Sequence, residues 1–227
     1  MVTLSCFRYA GLGARLRQLL SMARAHRALE APGLGFARVM GTGTGEGFDP
    51  APDTAVWTIL ATWEDEAAAR RGLKSRGWAW RRGTAAESAD LVMLPLRATG
   101  RWGGFAPFEA AEEAPDGLPL AVLTRATVKI AHARAFWSKV PAINRQIASG
   151  PGMLFRMGMG EVPLVHQVTF SVWRDPAAMR AFAYGGSGHR TAIREVRAGG
   201  WFAEELYARF AVLGAEGRWH ERPPLEG

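Results

Sequence analysis

Alternation and helical spacing of apolar positions predict one order of elements in the first half of the chain. The order is strand, helix, strand, strand, helix, strand, at residues 2–9, 12–29, 35–43, 54–63, 64–72 and 91–99. The first helix carries arginines and is amphipathic, with Leu16, Leu19 and Leu20 at helical spacing. An irregular stretch before the last strand is predicted to hold Trp78, Trp80, Arg81 and Arg82.

The second half repeats this order of elements. Its strands and helices are predicted at residues 120–130, 131–149, 153–160, 164–173, from 175 onward, and 207–219. Pro141 falls inside the first of these helices, where a kink or a break is expected. Asp175 is a suitable N-cap for the next helix, with Pro176 in its first turn.

Two local matches support the repeat. Each half passes from a Pro-Gly breaker into a strand with phenylalanine, and each ends its next strand on tryptophan before a helix (Pro32-Gly33 and Pro151-Gly152; Trp63 and Trp173). A β-α-β-β-α-β unit is the ferredoxin-like unit, whose sheet has one uncovered face that a second sheet can bury. The predicted fold is therefore α+β, with tandem ferredoxin-like repeats fused into a pseudo-dimeric α+β barrel. The repeats are placed at residues 1–99 and 118–227, with a Gly-, Pro- and acid-rich linker at 100–117.

Composition limits the class of protein. A hydrophobic content of 48% with 22% charged residues over 227 residues is ordinary for a folded chain. The single cysteine, Cys6, excludes an internal disulfide and a thiolate metal cluster, which fits a reducing compartment. The first residues lack the pattern of a signal peptide, and no apolar run has membrane-helix length. A cytoplasmic location is expected.

The net charge of +7 and the pI of about 10.4 fit nucleic acid, an acidic ligand or an anionic membrane surface. The arginines are spread along the chain and do not form a tail. A solvated basic surface is therefore the plain interpretation, and contact with an anionic membrane is the main alternative. No nucleic-acid partner is predicted.

The five histidines differ in their surroundings. His26, His132 and His220 are expected at the surface, and His166 alternates in a strand as a hydrogen-bonded core residue or a ligand. His189 follows a helix interrupted by glycines 185, 186 and 188. Glycines weaken a helix but let a flat ligand approach the backbone, so His189 is a candidate to bind haem iron. A capping or surface histidine is the alternative.

Other motifs are less informative. The glycine-rich loop at 41–52 lacks the lysine and spacing of a phosphate-binding loop, so it is either a hairpin connection or a flexible lip over a cavity. No Ser-His-Asp or Cys-His set is recognisable, which disfavours a hydrolase. The nine tryptophans, eleven phenylalanines and eight methionines are sufficient to build a core and to line a long apolar cavity.

The chain resembles the spheroidene monooxygenase family along nearly its whole length. The matching residues are Gly33-Leu34-Gly35-Phe36, residues 41–48, Thr54-Ala55-Val56, Ala61-Thr62-Trp63, Arg70-Arg71-Gly72, His189-Arg190, Gly200-Trp201-Phe202-Ala203-Glu204-Glu205-Leu206 and Arg209-Phe210. The glycine-rich hairpin and the Gly-Trp-Phe segment are the most specific of them.

The resemblance implies a haem-containing oxygenase that adds oxo groups to acyclic carotenoids. It implies haem b, O₂ and an external electron-donor protein such as a ferredoxin, with His189 as the iron ligand. Arg8 and Arg125, in the first strands of the two halves, are candidates to pair with haem propionates or to tune bound oxygen. The plain alternative is that each arginine ties the sheets to a carboxylate.

The resemblance also limits the number of haem groups and leaves two other functions open. The first half has no histidine at residues 74–80, so one haem per chain is implied. The alternatives are a haem lyase of the aldoxime-dehydratase type and a haem or lipid carrier without catalysis. The substrate, the oxidised carbon and the oligomeric state are not indicated by any residue.

Overall fold

The two repeats join edge to edge into one closed barrel of eight antiparallel strands. The computed structural model describes residues 1–22, 29–45, 49, 51–113, 115–148, 151–185 and 199–226. Within them the strands are β1 (Val2–Arg8), β2 (Leu34–Gly43), β3 (Pro52–Trp63), β4 (Glu87–Gly100), β5 (Leu120–Val128), β6 (Met153–Gly160), β7 (His166–Trp173) and β8 (Phe202–Gly217). The helices are α1 (Leu12–Met22), α2 (Glu66–Leu73), α3 (Arg76–Thr84), α4 (Ala133–Ala148) and α5 (Pro176–Gly185).

The strand order shows how the halves meet. Around the barrel it is β1-β3-β2-β6-β7-β5-β8-β4, so each half contributes four consecutive strands. The halves join at two opposite seams, a short one where β2 meets β6 and a long one where β4 meets β8. In the short seam Gly41 pairs with Gly160 and Thr42 with Met159. The predicted fold class is thereby confirmed.

Matching helix starts show that the two halves are equivalent in detail. The Asp65 side chain accepts a hydrogen bond from the Ala68 N–H at 2.6 Å, and Asp175 accepts one from Ala178 at 2.7 Å. Each aspartate is thus an N-cap in the second position after the tryptophan that ends β3 or β7. The predicted role of Asp175 is confirmed.

A pair of glycines fixes the equivalent bends before β2 and β6. Gly33 and Gly152 have φ of 78° and 80°, in the left-handed region that favours glycine. A Cβ atom at Gly33 would lie 2.7 Å from the Ala68 Cβ, and one at Gly152 would lie 2.9 Å from the Ala178 Cβ. The Pro-Gly signal in the sequence therefore marks a close approach of each bend to the following helix.

The barrel interior is a continuous apolar core. Its large side chains come from both halves and include Leu4, Met40, Leu60, Leu91, Leu123, Phe155, Met157, Phe170, Leu206 and Phe210. Cys6 lies among them, with its Sγ 3.9 Å from the Met157 Sδ. Burial, together with nearby Asp90, raises the pKa of the Cys6 thiol far above its ordinary value. Cys6 is therefore a core residue and not a nucleophile.

The prediction of an irregular stretch around Trp78 was wrong, because residues 76–84 form α3. The apolar positions of this helix have little periodicity, but tertiary contacts hold it in place. Trp78 is fully buried and its Nε1–H donates to the Ser5 hydroxyl at 3.0 Å. Arg82 pairs with Asp90 at 2.6 Å, so two side chains of α3 are tied to β1 and β4.

Three boundaries also differ from the sequence prediction. The sequence predicted a kink or a break at Pro141, and the break does not occur, because α4 runs through it as one helix of 16 residues. The last strand of each half begins earlier than predicted, at Glu87 and at Phe202. Glu87 and Ser88 open β4, and Glu204 and Glu205 follow the first two residues of β8, so polar residues interrupt the apolar pattern near both starts. None of the helices in the described part of the chain is long and apolar enough to cross a membrane.

Candidate functional site

A cavity of about 380 Å³ lies on the outer side of the barrel at the short seam. It is bounded by the ends of β2 and β6, the start of β3, the β6–β7 loop and one side chain each from α1 and α4. The lining residues are Leu19, Gly41, Thr42, Gly43, Asp49, Pro52, Asp53, Thr54, Trp57, Trp137, Gly158, Met159, Gly160, Glu161, Pro163, Leu164 and Gln167.

Glycines and one indole ring form the floor of this seam cavity. The strands bring Gly41, Gly43, Gly158 and Gly160 together where β2 and β6 meet. A Cβ atom on Gly41 would lie 3.5 Å from the Trp57 ring, so the indole sits directly against the backbone there. At Gly43 and Gly160 the missing side chain makes room for other backbone, because a Cβ atom there would collide with the Asp49 or the His166 carbonyl oxygen.

The walls are apolar and come from opposite halves of the chain. The Trp137 Nε1–H of α4 donates to the Leu164 carbonyl at 3.1 Å, which fixes α4 against the β6–β7 loop. Leu164 has φ of 66°, a strained conformation for a leucine that often marks a functional position. Leu19 of α1 forms part of the other wall and is 49% exposed. Among the described residues, exposed side chains of α1 and the β6–β7 loop, Leu19 and Leu164, therefore form part of the rim of the cavity.

The polar groups of the lining limit its ligands. Three carboxylates, Asp49, Asp53 and Glu161, lie at its edge, and Gln167 offers an amide. Arginine, lysine and histidine are missing from the described lining. A long uncharged apolar molecule fits the chemistry of these described lining residues, and none of them offers a cation to a haem propionate.

A second candidate surface is the outer face of the sheet in the second half. In β3 this face carries Trp57 and Ile59, which pack under the helices of the first half. The equivalent positions of β7, counted back from Trp173, are Gln167 and Thr169, and both are only half-buried. Among the described residues, this face is therefore more polar at these two positions in the second half than in the first.

This polar face fits the chemistry of haem better than the seam cavity does. Arg156 points outward from β6 opposite Ser171, and it supplies a cation that a propionate can pair with. Thr169 and Ser171 are small, half-buried side chains on the same face. The predicted iron ligand, His189, lies outside the described residues. Gly158 and Gln167 belong both to this face and to the cavity, so the two surfaces adjoin.

Arg125 lies at one end of the barrel, beneath a tryptophan that closes it. Trp102 is fully buried and its ring is 5.8 Å from the Arg125 guanidinium. Arg125 is 2% exposed and pairs with Glu204, which also accepts hydrogen bonds from the N–H groups of Gly103 and Gly104 at 2.7 and 2.8 Å. Burial alone would raise the pKa of Glu204, but these N–H groups and Arg125 outweigh it and hold the pKa below its ordinary value.

Replacing Glu204 with glutamine should destabilise the protein by about 2 kcal/mol at neutral pH, because Arg125 loses its close counter-charge. Because the pKa of Glu204 is lower in the folded protein than its ordinary value of 4.5, its ionised carboxylate stabilises the fold at pH values above 4.5. This contribution is lost as the pH falls through the pKa of Glu204 in the folded protein. Urea unfolding from pH 7 downward should therefore show the gap between wild type and variant closing in acid. Glu216→Gln, on the same strand and 80% exposed, is the matched control. A gap that stays constant with pH would contradict this account.

Arg8 lies at the opposite end of the barrel, because β1 and β5 run in opposite directions. By strand register it matches Thr127, two residues beyond Arg125. The Arg8 guanidinium is 4.7 Å from the ring of buried Trp219 and 3.0 Å from Glu87. Burial would raise the pKa of Glu87, but the Glu221 N–H and Arg8 hold it below its ordinary value. The Nε2 of His220, the residue before Glu221, lies 3.3 Å from the Arg8 guanidinium.

The two predicted arginines have similar partners but are not brought together. Both close an end of the barrel with a tryptophan and a carboxylate, and neither lines the seam cavity. Arg8 borders a smaller cavity of about 100 Å³ beside Trp219. Their proposed contact with haem propionates stays a prediction.

The remaining histidines have local partners where they are described. His132 stacks on Trp201 with ring centroids 5.8 Å apart. The His166 Nδ1 is 3.5 Å from Glu161, which also pairs with Arg38 at 2.9 Å. His26, like His189, lies outside the described residues.

One part of the cavity was predictable from the sequence, and other parts were not. The glycine-rich loop connects the antiparallel strands β2 and β3, and five of its described residues line the cavity: Gly41, Thr42, Gly43, Asp49 and Pro52. The roles of Trp57, Trp137 and Leu164 were missed. Aromatic residues are common in this sequence, so nothing local distinguishes these two tryptophans from core residues.

Comparison with known proteins gives close relatives of one kind. The chain is 44% identical over 230 residues to the spheroidene monooxygenase of Rhodobacter capsulatus, covering 99% of this chain and 95% of that protein. It is also 44% identical to the spheroidene monooxygenase of Cereibacter sphaeroides, covering 99% and 70%. The protein of that name from Rubrivivax gelatinosus is 35% identical, covering 86% and 75%. No protein-family model matches the chain.

Solved structures share the fold at low sequence identity. A crystal structure of aldoxime dehydratase superposes with a TM-score of 0.60 and 14% identity, over 93% of this chain and 80% of that one. An aldoxime dehydratase in complex with butyraldoxime gives a TM-score of 0.61 and 11% identity, over 100% and 84%. These likenesses support the fold alone.

Proposed function

The chain belongs to the spheroidene monooxygenase family, and from this premise we propose that it is a haem-dependent monooxygenase acting on an acyclic carotenoid. The reaction would introduce hydroxyl groups, and an oxo group where two hydroxylations at one carbon are followed by loss of water. The names of the relatives support the carotenoid substrate and the oxygenase chemistry. Haem dependence is the further part of the proposal.

The seam cavity is the observation that carries the substrate assignment. A carotenoid is long, flat and uncharged, and the cavity offers a glycine floor, the Trp57 indole and an apolar wall at Trp137 and Leu164. Burial of such a polyene against aromatic and aliphatic side chains is favourable, and no charge on the ligand has to be matched. The carboxylates at the edge would disfavour anionic lipids as competitors.

The haem assignment depends on His189 and on the outer face of the second half. His189 would hold the iron. Arg156 is an arginine on this face, and its guanidinium would pair with a haem propionate. When bound, haem would supply the iron centre at which O₂ is reduced, with electrons from an external donor protein such as a ferredoxin.

The residues of the chain itself would position the substrate. Trp57 and Gly41 would hold the polyene flat against the seam, and Trp137 would keep water from it. Gly158 and Gln167 belong to both the cavity and the polar face. The reacting end of the polyene would extend past these two residues from the cavity to the polar face. The basic surface would favour a cytoplasmic protein that contacts the anionic inner membrane, where carotenoids dissolve.

The test is turnover by purified, haem-loaded protein. An acyclic carotenoid in neutral detergent micelles, with a chemical reductant and a ferredoxin, should give hydroxylated and oxo products in air and none under argon. A haem lyase of the aldoxime-dehydratase type would instead convert an aldoxime under argon. A carrier would bind carotenoid and give no product under either condition. Either of these results would contradict the proposed function.

A further inference from the structure

The exposed face of α1 is apolar. A helix that packs against a protein core instead buries its apolar face and exposes its polar one. Leu12, Leu16, Leu19 and Leu20 are 83%, 57%, 49% and 68% exposed, whereas Gln18 is 1% exposed. Successive residues of an α-helix are rotated by about 100°, so these leucines fall in one stripe and Gln18 lies on the far side. We call these four residues the leucine stripe. Its width, about 100°, is that of a face that would normally be buried.

Two arginines flank the leucine stripe. At the same rotation per residue, Arg15 lies beyond one edge of the stripe and Arg17 beyond the other. A stripe of leucines with cations on both sides is the pattern of a helix that lies in the surface of an anionic bilayer. The net charge of +7 on the chain acts in the same direction.

The leucine stripe is continuous with the mouth of the seam cavity. Leu19 belongs to both the stripe and the cavity wall. Across the mouth, Val162 and Leu164 of the β6–β7 loop are 45% and 46% exposed. These apolar side chains give a water-insoluble molecule a path from a bilayer to the cavity without crossing water.

We propose that α1 docks the protein on an anionic lipid bilayer through the leucine stripe. The leucines enter the boundary between headgroups and acyl chains, and Arg15 and Arg17 contact the anionic headgroups. The cavity mouth then faces the membrane. Docking itself requires neither haem nor substrate, and only its use as an access route for a carotenoid rests on the proposed function.

The test is co-sedimentation of the purified full chain with vesicles of phosphatidylglycerol and phosphatidylcholine. The double variant Leu12→Gln/Leu16→Gln should bind about tenfold more weakly or worse, because two leucines no longer leave water. The double variant Arg15→Gln/Arg17→Gln should lose about tenfold, and this loss should shrink as salt is raised.

Matched controls separate the stripe from general hydrophobicity and charge. Phe105→Gln removes a 63% exposed apolar side chain at a barrel end. Arg97→Gln/Arg209→Gln removes two exposed charges that face each other across the long seam, opposite the cavity. Both controls should bind vesicles as the wild type does. Equal losses in the control and stripe variants would overturn the proposal.

Two further results would also overturn docking. One is unchanged vesicle binding by the leucine double variant. The other is a wild-type dimer in light scattering that becomes a monomer in that variant, because a second copy would then cover the stripe. The leucine double variant should turn over micelle-dissolved carotenoid at the wild-type rate, since Leu12 and Leu16 do not line the cavity. Vesicle binding by a protein without turnover would leave docking intact and remove the proposed function alone.

Discussion

Replacing His189 with alanine should remove bound haem and lower carotenoid turnover at least about 100-fold, because the iron would lose its protein ligand. The wild-type protein, purified after expression with haem supply, should show a Soret band, and the variant should show little or none at equal protein concentration. Added imidazole should restore part of the band, since it can occupy the place of the lost side chain. The readout is the visible spectrum, followed by turnover.

The matched control for this change is His132→Ala. His132 stacks on Trp201 in the second half but does not line the cavity. Its variant should keep the Soret band and most of the activity. A His189→Ala protein with an unchanged Soret band would remove the ligand assignment, and loss of the band in both variants would indicate a general effect on folding.

Filling the seam cavity should lower carotenoid turnover without removing haem. Thr54 is an exposed residue near the start of β3, and it lines the cavity. A tryptophan there would place an indole where the polyene is proposed to lie, at little cost to folding because the position is exposed. We expect kcat/KM to fall about 100-fold or more, because even a small displacement of the substrate from the reacting centre is costly.

The control for Thr54→Trp is the same substitution at Thr99. Thr99 is an exposed strand residue at the long seam, on the other side of the barrel. Thr99→Trp should retain wild-type turnover, and both variants should keep the wild-type Soret band. Wild-type kinetics for Thr54→Trp would show that the substrate does not occupy the seam cavity.

Much of the fold was predictable because the signals that specify it are local. The Pro-Gly bends before β2 and β6, and the aspartate caps after Trp63 and Trp173, repeat along the sequence and mark equivalent points of two units. Helix α3 was not predictable in this way. Trp78 is held by Ser5, which lies 73 positions away in the sequence, so its burial depends on a tertiary contact that no local pattern records.

The candidate site was predictable only in part for a similar reason. The glycine-rich loop stands out in the sequence, and its expected place beside a cavity agrees with Gly41 and Gly43 in the lining. Trp57 and Trp137 come from different halves and meet the same space only after the short seam forms. The leucine stripe of α1 has the spacing of any amphipathic helix. The stripe faces outward because the opposite side of α1, which carries Gln18, is the buried one. The sequence pattern alone does not show which side of the helix is buried.

The central claim, that this chain inserts oxygen from O₂ into an acyclic carotenoid, is tested most directly by isotope labelling. In a monooxygenase reaction one oxygen atom enters the substrate and the other leaves as water, with two electrons and two protons from the donor system. Purified haem-loaded protein supplied with ¹⁸O₂ in ordinary water should give a carotenoid product that carries ¹⁸O when analysed promptly by mass spectrometry. A product carrying only oxygen from water, or no product despite bound haem and a working electron donor, would contradict the account.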